Sequence, residues 1–150
     1  MTTDRIEKEI LLRAPRARVW KALTTASEFG AWFGVKLESE FSPGARVKGQ
    51  LTFKPYEHII FDFIVDRIEP EHFFSYRWHP YALDPKVDYS SETPTLVEFR
   101  LEAVPEGTRL TVIESGFDRI PVGRRAEAFR ANAGGWAEQL NNIARHVTSQ

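Results

Sequence analysis

The end of the sequence has one long amphipathic pattern. Apolar residues recur there at intervals of three and four, which places their side chains on one face of an α-helix. They are Phe129, Ala133, Trp136, Leu140, Ile143 and Val147. The pattern predicts a helix over residues 124–147, about 36 Å long at a rise of 1.5 Å per residue. A helix of this length can span a whole small domain.

Two consecutive glycines, Gly134 and Gly135, lie in the middle of this predicted helix. Together they cost about 2 kcal/mol of helix stability relative to alanine. We therefore expect a compensating feature, either a close approach of the backbone to a sheet or a bound molecule.

Alternation of apolar and polar residues predicts strands through most of the remaining sequence. The predicted strands cover residues 6–12, 35–41, 46–53, 58–68, 73–79, 97–102 and 109–117. After the first strand, Pro15 is expected to open a helix over 16–24. Ser27 is expected to cap a second helix over 28–33 that stops at Gly34.

The strand over residues 58–68 shows which of its faces is buried. Ile59, Phe61, Phe63 and Val65 share one face and are expected to point inward, opposite Ile60, Asp62, Ile64 and Asp66. Asp62 and Asp66 share the opposite face, so we interpret both carboxylates as solvated charges and not as an acid-base pair.

Four segments of the sequence are specific enough to suggest a family. They are APRARVWKALTTASEFGAWFG at 14–34, FSPGARVKG at 41–49, GTRLTVIESGF at 107–117 and GGWAEQLNNI at 134–143. In this order they resemble the heat-shock-protein ATPase activator homologue (AHSA-type) group of the START-like superfamily, also called SRPBCC or polyketide cyclase-like.

The resemblance implies a single α+β domain over residues 1–150 with the helix-grip fold. In this fold a curved antiparallel sheet of about six to seven strands wraps a long C-terminal helix, and two short helices follow the first strand. It also implies a hydrophobic cavity between sheet and helix, which commonly holds a lipid, sterol, polyketide or aromatic ligand. It does not imply one activity, because one fold hosts many functions.

The sequence departs from the group in two places. The eukaryotic activators carry a separate N-terminal domain that contacts the chaperone, and 150 residues leave no room for it. We therefore expect any chaperone contact to be weakened. The second departure is the proline-rich segment over 80–94, which is longer than most connections. It is either a lid that carries Tyr81 and Tyr89 or a surface insertion without a role.

Composition and motifs exclude several classes of function. The net charge of -1 argues against a nucleic-acid protein. Neither an apolar run of about 20 residues nor a signal peptide is present, so we expect no membrane insertion and a cytoplasmic location. The sequence has no cysteine. Its four histidines lack ligand spacing and no cofactor motif occurs, so neither a metal nor a cofactor is predicted.

The sequence is rich in aromatic residues, with 11 Phe, 4 Trp and 4 Tyr. Such rings either fill a core or line a cavity. The candidate cavity residues are Trp32, Phe33, Phe53, Phe61, Phe63, Tyr76, Trp78, Phe99, Glu114, Phe117, Phe129, Asn132 and Trp136. Glu114 stands out because it shares an inward face with apolar residues, where a carboxylate is costly unless it is paired or hydrogen-bonded.

Three functions remain open. The first is binding of a small hydrophobic or aromatic molecule in a cavity of at least roughly 300 Å³. The second is a cofactor-free cyclase-like or hydrolase-like enzyme, which needs at least two of Glu114, Tyr76 and His79 to converge as acid and base on one cavity point. The third is a chaperone-activator interaction module, which needs an exposed apolar patch.

Overall fold

A computed structural model describes residues 4–54, 56–57, 59–80 and 86–148 of the chain. The seven strands are β1 (Arg5–Leu12), β2 (Val35–Leu37), β3 (Arg46–Leu51), β4 (Ile60–Glu69), β5 (Phe73–Trp78), β6 (Thr95–Val104) and β7 (Gly107–Ser115). The three helices are α1 (Arg16–Thr24), α2 (Ala26–Phe33) and α3 (Val122–Thr148), with a 3₁₀ turn at Phe117–Arg119.

The strands form one antiparallel sheet in the order β1-β7-β6-β5-β4-β3-β2. Two short helices follow β1, and α3 packs its apolar stripe against the concave face of the sheet. The buried residues of that stripe are Ala128, Trp136, Leu140, Ile143 and Val147. The α+β helix-grip fold expected from the sequence is therefore confirmed.

Strand β4 confirms the predicted inward face. Phe61 and Phe63 are buried, whereas Ile60 is 59% exposed and Ile64 is 48% exposed. On the outer face Asp62 accepts hydrogen bonds from the guanidinium of Arg46 on β3. This register fixes which side chains of the central strands point toward α3.

The predicted inward placement of Phe53 is wrong. Strand β3 ends at Leu51, and Phe53 lies in the following turn, where its side chain is 42% exposed. Alternation stops with the strand, because the Thr52 N–H donates instead to the carbonyl of Gly34. The Phe53 ring lies against the Cα of Gly34, whose φ of +94° ends α2 as predicted.

Helix α2 begins earlier than predicted, and Ser27 is not its N-cap. Thr25 occupies the cap position without a side-chain hydrogen bond. The first-turn N–H of Ala26 donates to the Glu40 carboxylate at 3.0 Å. Glu40, which is distant in sequence, thus accepts a first-turn N–H that a local cap residue usually accepts. No local sequence pattern could therefore predict where α2 begins.

None of the described helices combines the length and the apolarity needed to cross a membrane.

Candidate functional site

The carboxylate of Glu114 lies at the centre of a buried polar network. Glu114 is on β7 and its side chain is 0% exposed. Its Oε2 accepts hydrogen bonds from Trp78 Nε1 at 2.7 Å and from Thr95 Oγ1 at 2.5 Å. Its Oε1 accepts from Asn132 Nδ2 at 2.8 Å and from Trp136 Nε1 at 2.9 Å. One carboxylate therefore joins β5, β6 and β7 to α3.

Two opposing effects act on Glu114. Burial raises the pKa of its carboxyl group, and the four hydrogen bonds lower it by a smaller amount, so the net direction is upward. The indole and amide nitrogens of Trp78, Trp136 and Asn132 can only donate, which suits an ionised carboxylate. None of the ion pairs among the described residues includes Glu114.

A cleft lies between the end of β5 and the middle of α3. Its lining consists of Phe33, Trp78, Asn132, Gly135, Trp136 and Gln139, and we call it the grip cleft. It opens to solvent on one side and has a volume of about 110 Å³. This is smaller than the roughly 300 Å³ expected. An engineered apolar cavity of about 150 Å³ holds benzene, so the grip cleft has room for one ring at most unless the ligand extends through its open side.

Glu114 does not border the cleft, but it restrains three of the six residues that do. Trp78, Asn132 and Trp136 all border the cleft, and all three donate to the Glu114 carboxylate behind them. A hydrogen bond at one end of each side chain restricts its rotamer. The walls of the cleft are therefore preorganised before any ligand arrives.

The two helix glycines have different surroundings from those predicted. A Cβ atom on Gly134 or Gly135 would meet no other atom within 4 Å, so close approach to the sheet does not explain them. Gly135 borders the grip cleft, where a side chain would occupy the open space. The prediction that a bound molecule compensates for the glycines stays open.

Most of the other candidate cavity residues lie in the core. Trp32 donates to the Ala22 carbonyl at 2.8 Å. Phe117 packs edge-on against Phe129 with centroids 5.2 Å apart, beyond the last strand. Buried rings that join the core cluster and do not border the cleft are Trp32, Phe61, Phe63, Phe99 and Phe117.

Tyr76 is fully buried, and its hydroxyl has no hydrogen-bond partner among the described residues. Its ring lies edge-on to Phe63 at 4.5 Å and to Trp78 at 5.2 Å. Burial and the nearby charge of Glu114 hold the pKa of Tyr76 well above its usual range. The side chain is a neutral phenol behind the cleft wall.

The three acid-base candidates do not meet in the grip cleft. Glu114 and Tyr76 lie behind its wall, and neither they nor His79 belong to its described lining. The Nε2 atom of His79 is instead 2.9 Å from the backbone oxygen of Glu92. The convergence that the enzyme hypothesis requires is therefore not present in the grip cleft.

The described end of the 80–94 segment is attached to the start of α3. Arg124 donates to both carboxylate oxygens of Glu92 and to the Pro80 carbonyl at 2.8 Å. Its guanidinium also lies 4.8 Å from the centre of the Tyr89 ring. Tyr81 and residues 82–85 of the predicted lid lie outside the described residues.

Two residues of the site were missed by the sequence reasoning. Thr95 lies two residues before Val97, which began the predicted strand, and its even spacing from Val97 and Phe99 was the available signal. Gln139 follows Trp136 by three residues on α3. Its amide donates to the Phe33 carbonyl at 3.2 Å and closes the cleft at one end.

A larger groove of about 690 Å³ lies on the surface between α2 and β2. Its described lining includes Lys36, Glu38 and Glu40 and contains no aromatic ring. No three His, Asp or Glu side chains within the described ranges are grouped to hold a metal ion.

The chain is similar in structure to several solved proteins. Protein MLL2253 from Mesorhizobium loti is 22% identical, with a TM-score of 0.75 and 96% of each chain covered. The Aha1 dimer from Colwellia psychrerythraea is 18% identical, with a TM-score of 0.72, 98% of this chain and 96% of that chain covered. These two likenesses support the fold alone.

A third solved structure, DynU16, comes from the dynemicin biosynthetic locus. It is 26% identical with a TM-score of 0.73, and the match covers 97% of this chain but 48% of DynU16. A comparison with curated proteins found no match. The model of the Activator of Hsp90 ATPase homolog 1-like protein family matches residues 13–148. This match takes in nearly all of the elements described above, and the chain therefore belongs to that family.

Proposed function

We propose that the protein binds a small molecule with a single apolar ring in the grip cleft. The observation that carries the proposal is the attachment of Trp78, Asn132 and Trp136, half of the cleft lining, to one buried carboxylate. Burying a carboxylate is costly, and a core that only needed to be filled would be as stable with an apolar residue there. A network of this kind is expected where side chains must hold one geometry.

The shape of the cleft supports a flat ligand. Trp78 and Trp136 lie 5.8 Å apart with their planes inclined by 30°. Phe33 is 5.9 Å from Trp78 and inclined by 64°, so it forms a second wall at an angle to the first. A planar ring can contact the face of one wall and the edge of the other, which are the two favourable aromatic geometries.

The comparisons are consistent with a small-molecule ligand. DynU16, a putative protein in the dynemicin biosynthetic locus, is similar over nearly the whole of this chain. We further propose that residues 80–94 cover the open side of the cleft, because their described end is attached to the start of α3, the helix that lines it.

An NMR titration with toluene tests the proposal. The four indole N–H signals report on Trp20, Trp32, Trp78 and Trp136 separately. We expect saturable shifts for Trp78 and Trp136 only, because Trp20 and Trp32 lie outside the cleft. In the variant Gly135→Leu the new side chain occupies the cleft, and the shifts should disappear. Unchanged signals in the wild type would refute the proposal.

A second candidate function is contact with a chaperone, favoured by apolar exposure on the outer face. Ile60 and Ile64 are four residues apart on β4 and about half exposed. Exposed apolar residues that share one face can mark a protein-interaction site. If this candidate is correct, the protein should stimulate the ATPase of an Hsp90 chaperone, and the double variant Ile60→Ser, Ile64→Ser should not. If the wild type does not stimulate the ATPase, this second candidate function is excluded.

A further inference from the structure

Behind the lining of the grip cleft lies the Glu114 carboxylate, which three of the lining side chains contact through their N–H groups. We infer that the single-ring ligand of this cleft carries a positive charge, as in an N-alkylated or protonated nitrogen heterocycle or an arylammonium ion. This inference rests on the proposed function and adds the chemical class of the ligand.

The first argument is an uncompensated charge. Four neutral donors surround Glu114, and none of the ion pairs of the described chain includes it. Arg124, at the start of α3, is bound to Glu92. Hydrogen bonds disperse the charge of a carboxylate but do not cancel it, and the field acts strongly at short range in a site with little water. The cleft lies one side chain away from this charge.

The second argument is the direction of the dipoles. Trp78, Trp136 and Asn132 all turn N–H groups toward Glu114. The positive end of each polar group therefore faces the carboxylate. Because Nδ2 of Asn132 must be the atom that donates to Glu114, the amide assignment is fixed and Oδ1 lies on the opposite side. The described residues donate no hydrogen bond to that oxygen.

The third argument is the chemistry of the walls. Indole and phenyl faces carry the negative part of the ring quadrupole and attract cations, tryptophan most strongly. The cleft has Trp78, Trp136 and Phe33 as walls. A hydrogen bond from an indole N–H to a carboxylate adds electron density to that indole, which strengthens the attraction. Charge, dipoles and ring faces thus all favour a cation.

The test compares two probes of the same shape. N-methylpyridinium and toluene are flat six-membered rings with one methyl group, and they differ in charge. Dissociation constants are measured from the indole signals of Trp78 and Trp136. We expect N-methylpyridinium to bind at least about tenfold tighter than toluene, a difference of about 1.4 kcal/mol.

Two variants assign the preference to the buried carboxylate. Glu114→Gln removes the charge and keeps the shape, so it should reduce the preference for the cation severalfold while toluene still binds. Glu102→Gln makes the same change in net charge at an exposed position on β6 and should behave as the wild type. The wild-type ratio decides the question even if Glu114→Gln does not fold.

The possible outcomes separate the two proposals. Equal binding of both probes, or tighter binding of toluene, would overturn the charge inference and leave the proposed function intact. A cation preference that is undiminished in folded Glu114→Gln would also overturn it. Binding of neither probe would refute the proposed function, and this inference with it.

Discussion

The buried carboxylate of Glu114 has no cation partner among the described residues, and hydrogen bonds stabilise it in the core. Each of its oxygens accepts two hydrogen bonds, which uses the acceptor sites of an ionised group. If any one donor is removed, the carboxylate keeps an acceptor site without a hydrogen bond at a position that water does not reach. Substitutions at the donors should therefore lower the free energy of unfolding even where ring packing is kept.

Trp136 combines both contributions, ring packing and donation to Glu114. Its ring is 2% exposed and lies edge-on to Phe99 at 5.6 Å. We expect Trp136→Ala to lower the free energy of unfolding by roughly 3 to 5 kcal/mol. Trp136→Phe keeps an aromatic ring and loses the donor, and should cost about 1.5 to 3 kcal/mol. Urea denaturation measures both values, and an unchanged free energy for Trp136→Ala would contradict this packing.

At the scale of single elements, the glycines of α3 give a matched pair of variants. Neither Gly134 nor Gly135 has an atom within 4 Å of a Cβ position. Gly134→Ala and Gly135→Ala should therefore each stabilise the protein by about 0.8 to 1 kcal/mol through helix propensity. Thermal unfolding checks the gain. A loss of stability in either variant would show that the backbone approaches a neighbour there after all.

The two variants should differ in binding even though they agree in stability. Gly134 is exposed and does not border the grip cleft, so Gly134→Ala should leave the toluene affinity unchanged. Gly135→Ala places a methyl group in the cleft and should weaken it. Equal affinities for both variants would mean that the ligand does not contact this part of α3.

The ends of three helices meet at Glu28 of α2. Its carboxylate accepts a hydrogen bond from Arg18 of α1 at 2.5 Å and lies 3.0 Å from Nε2 of His146 on α3. Burial alone would raise the pKa of Glu28, but the hydrogen bonds and charges of Arg18 and His146 outweigh it. The net result is a pKa below the ordinary value of 4.5.

This lowered pKa predicts how stability depends on pH. The unfolded state binds a proton to Glu28 more readily than the folded state, so the contribution of Glu28 is present above pH 4.5 and is lost as the pH falls below it. We expect the stability difference between wild type and Glu28→Gln to shrink as the pH falls from 6 to 3. Urea titrations across this range provide the measurement, and a constant difference would contradict the assignment.

The elements differ in how well the sequence predicts them. Strand β4 and helix α3 were predictable because their periodic patterns are local and long. The start of α2 was not, because its cap is Glu40, 14 residues away.

The grip cleft was predictable in part. Glu114 and its helix partners were identified by their faces, but the pairing of each donor with the carboxylate depends on strand register, which a local pattern does not contain.

At the scale of the whole molecule, the family fold supplies a sheet that wraps one helix, and individual residues determine how much space remains between them. Here large rings fill most of that space. Nine aromatic residues belong to the buried core cluster of the described residues, and the grip cleft that they leave beside α3 is about 110 Å³. A ligand larger than one ring would need Trp78 or the 80–94 segment to move.

The 80–94 segment is expected to control access to this opening. On the proposal that this segment is a lid, replacement of residues 80–94 by a tight turn should weaken toluene binding. Arg124→Gln, which removes the attachments to Glu92 and Pro80, should weaken it less. The indole titration measures both variants. Binding as tight as in the wild type would show that the segment has no role at the cleft.

The most direct test of ligand binding in the grip cleft is a crystal of the protein soaked in bromobenzene. The probe is one ring, and its bromine gives an anomalous signal that marks its position. We expect a single strong peak between Trp78, Trp136 and Phe33, beside Gly135, and no peak there in crystals of Gly135→Leu. A peak only in the surface groove between α2 and β2, or an empty cleft at saturating bromobenzene, would contradict the account.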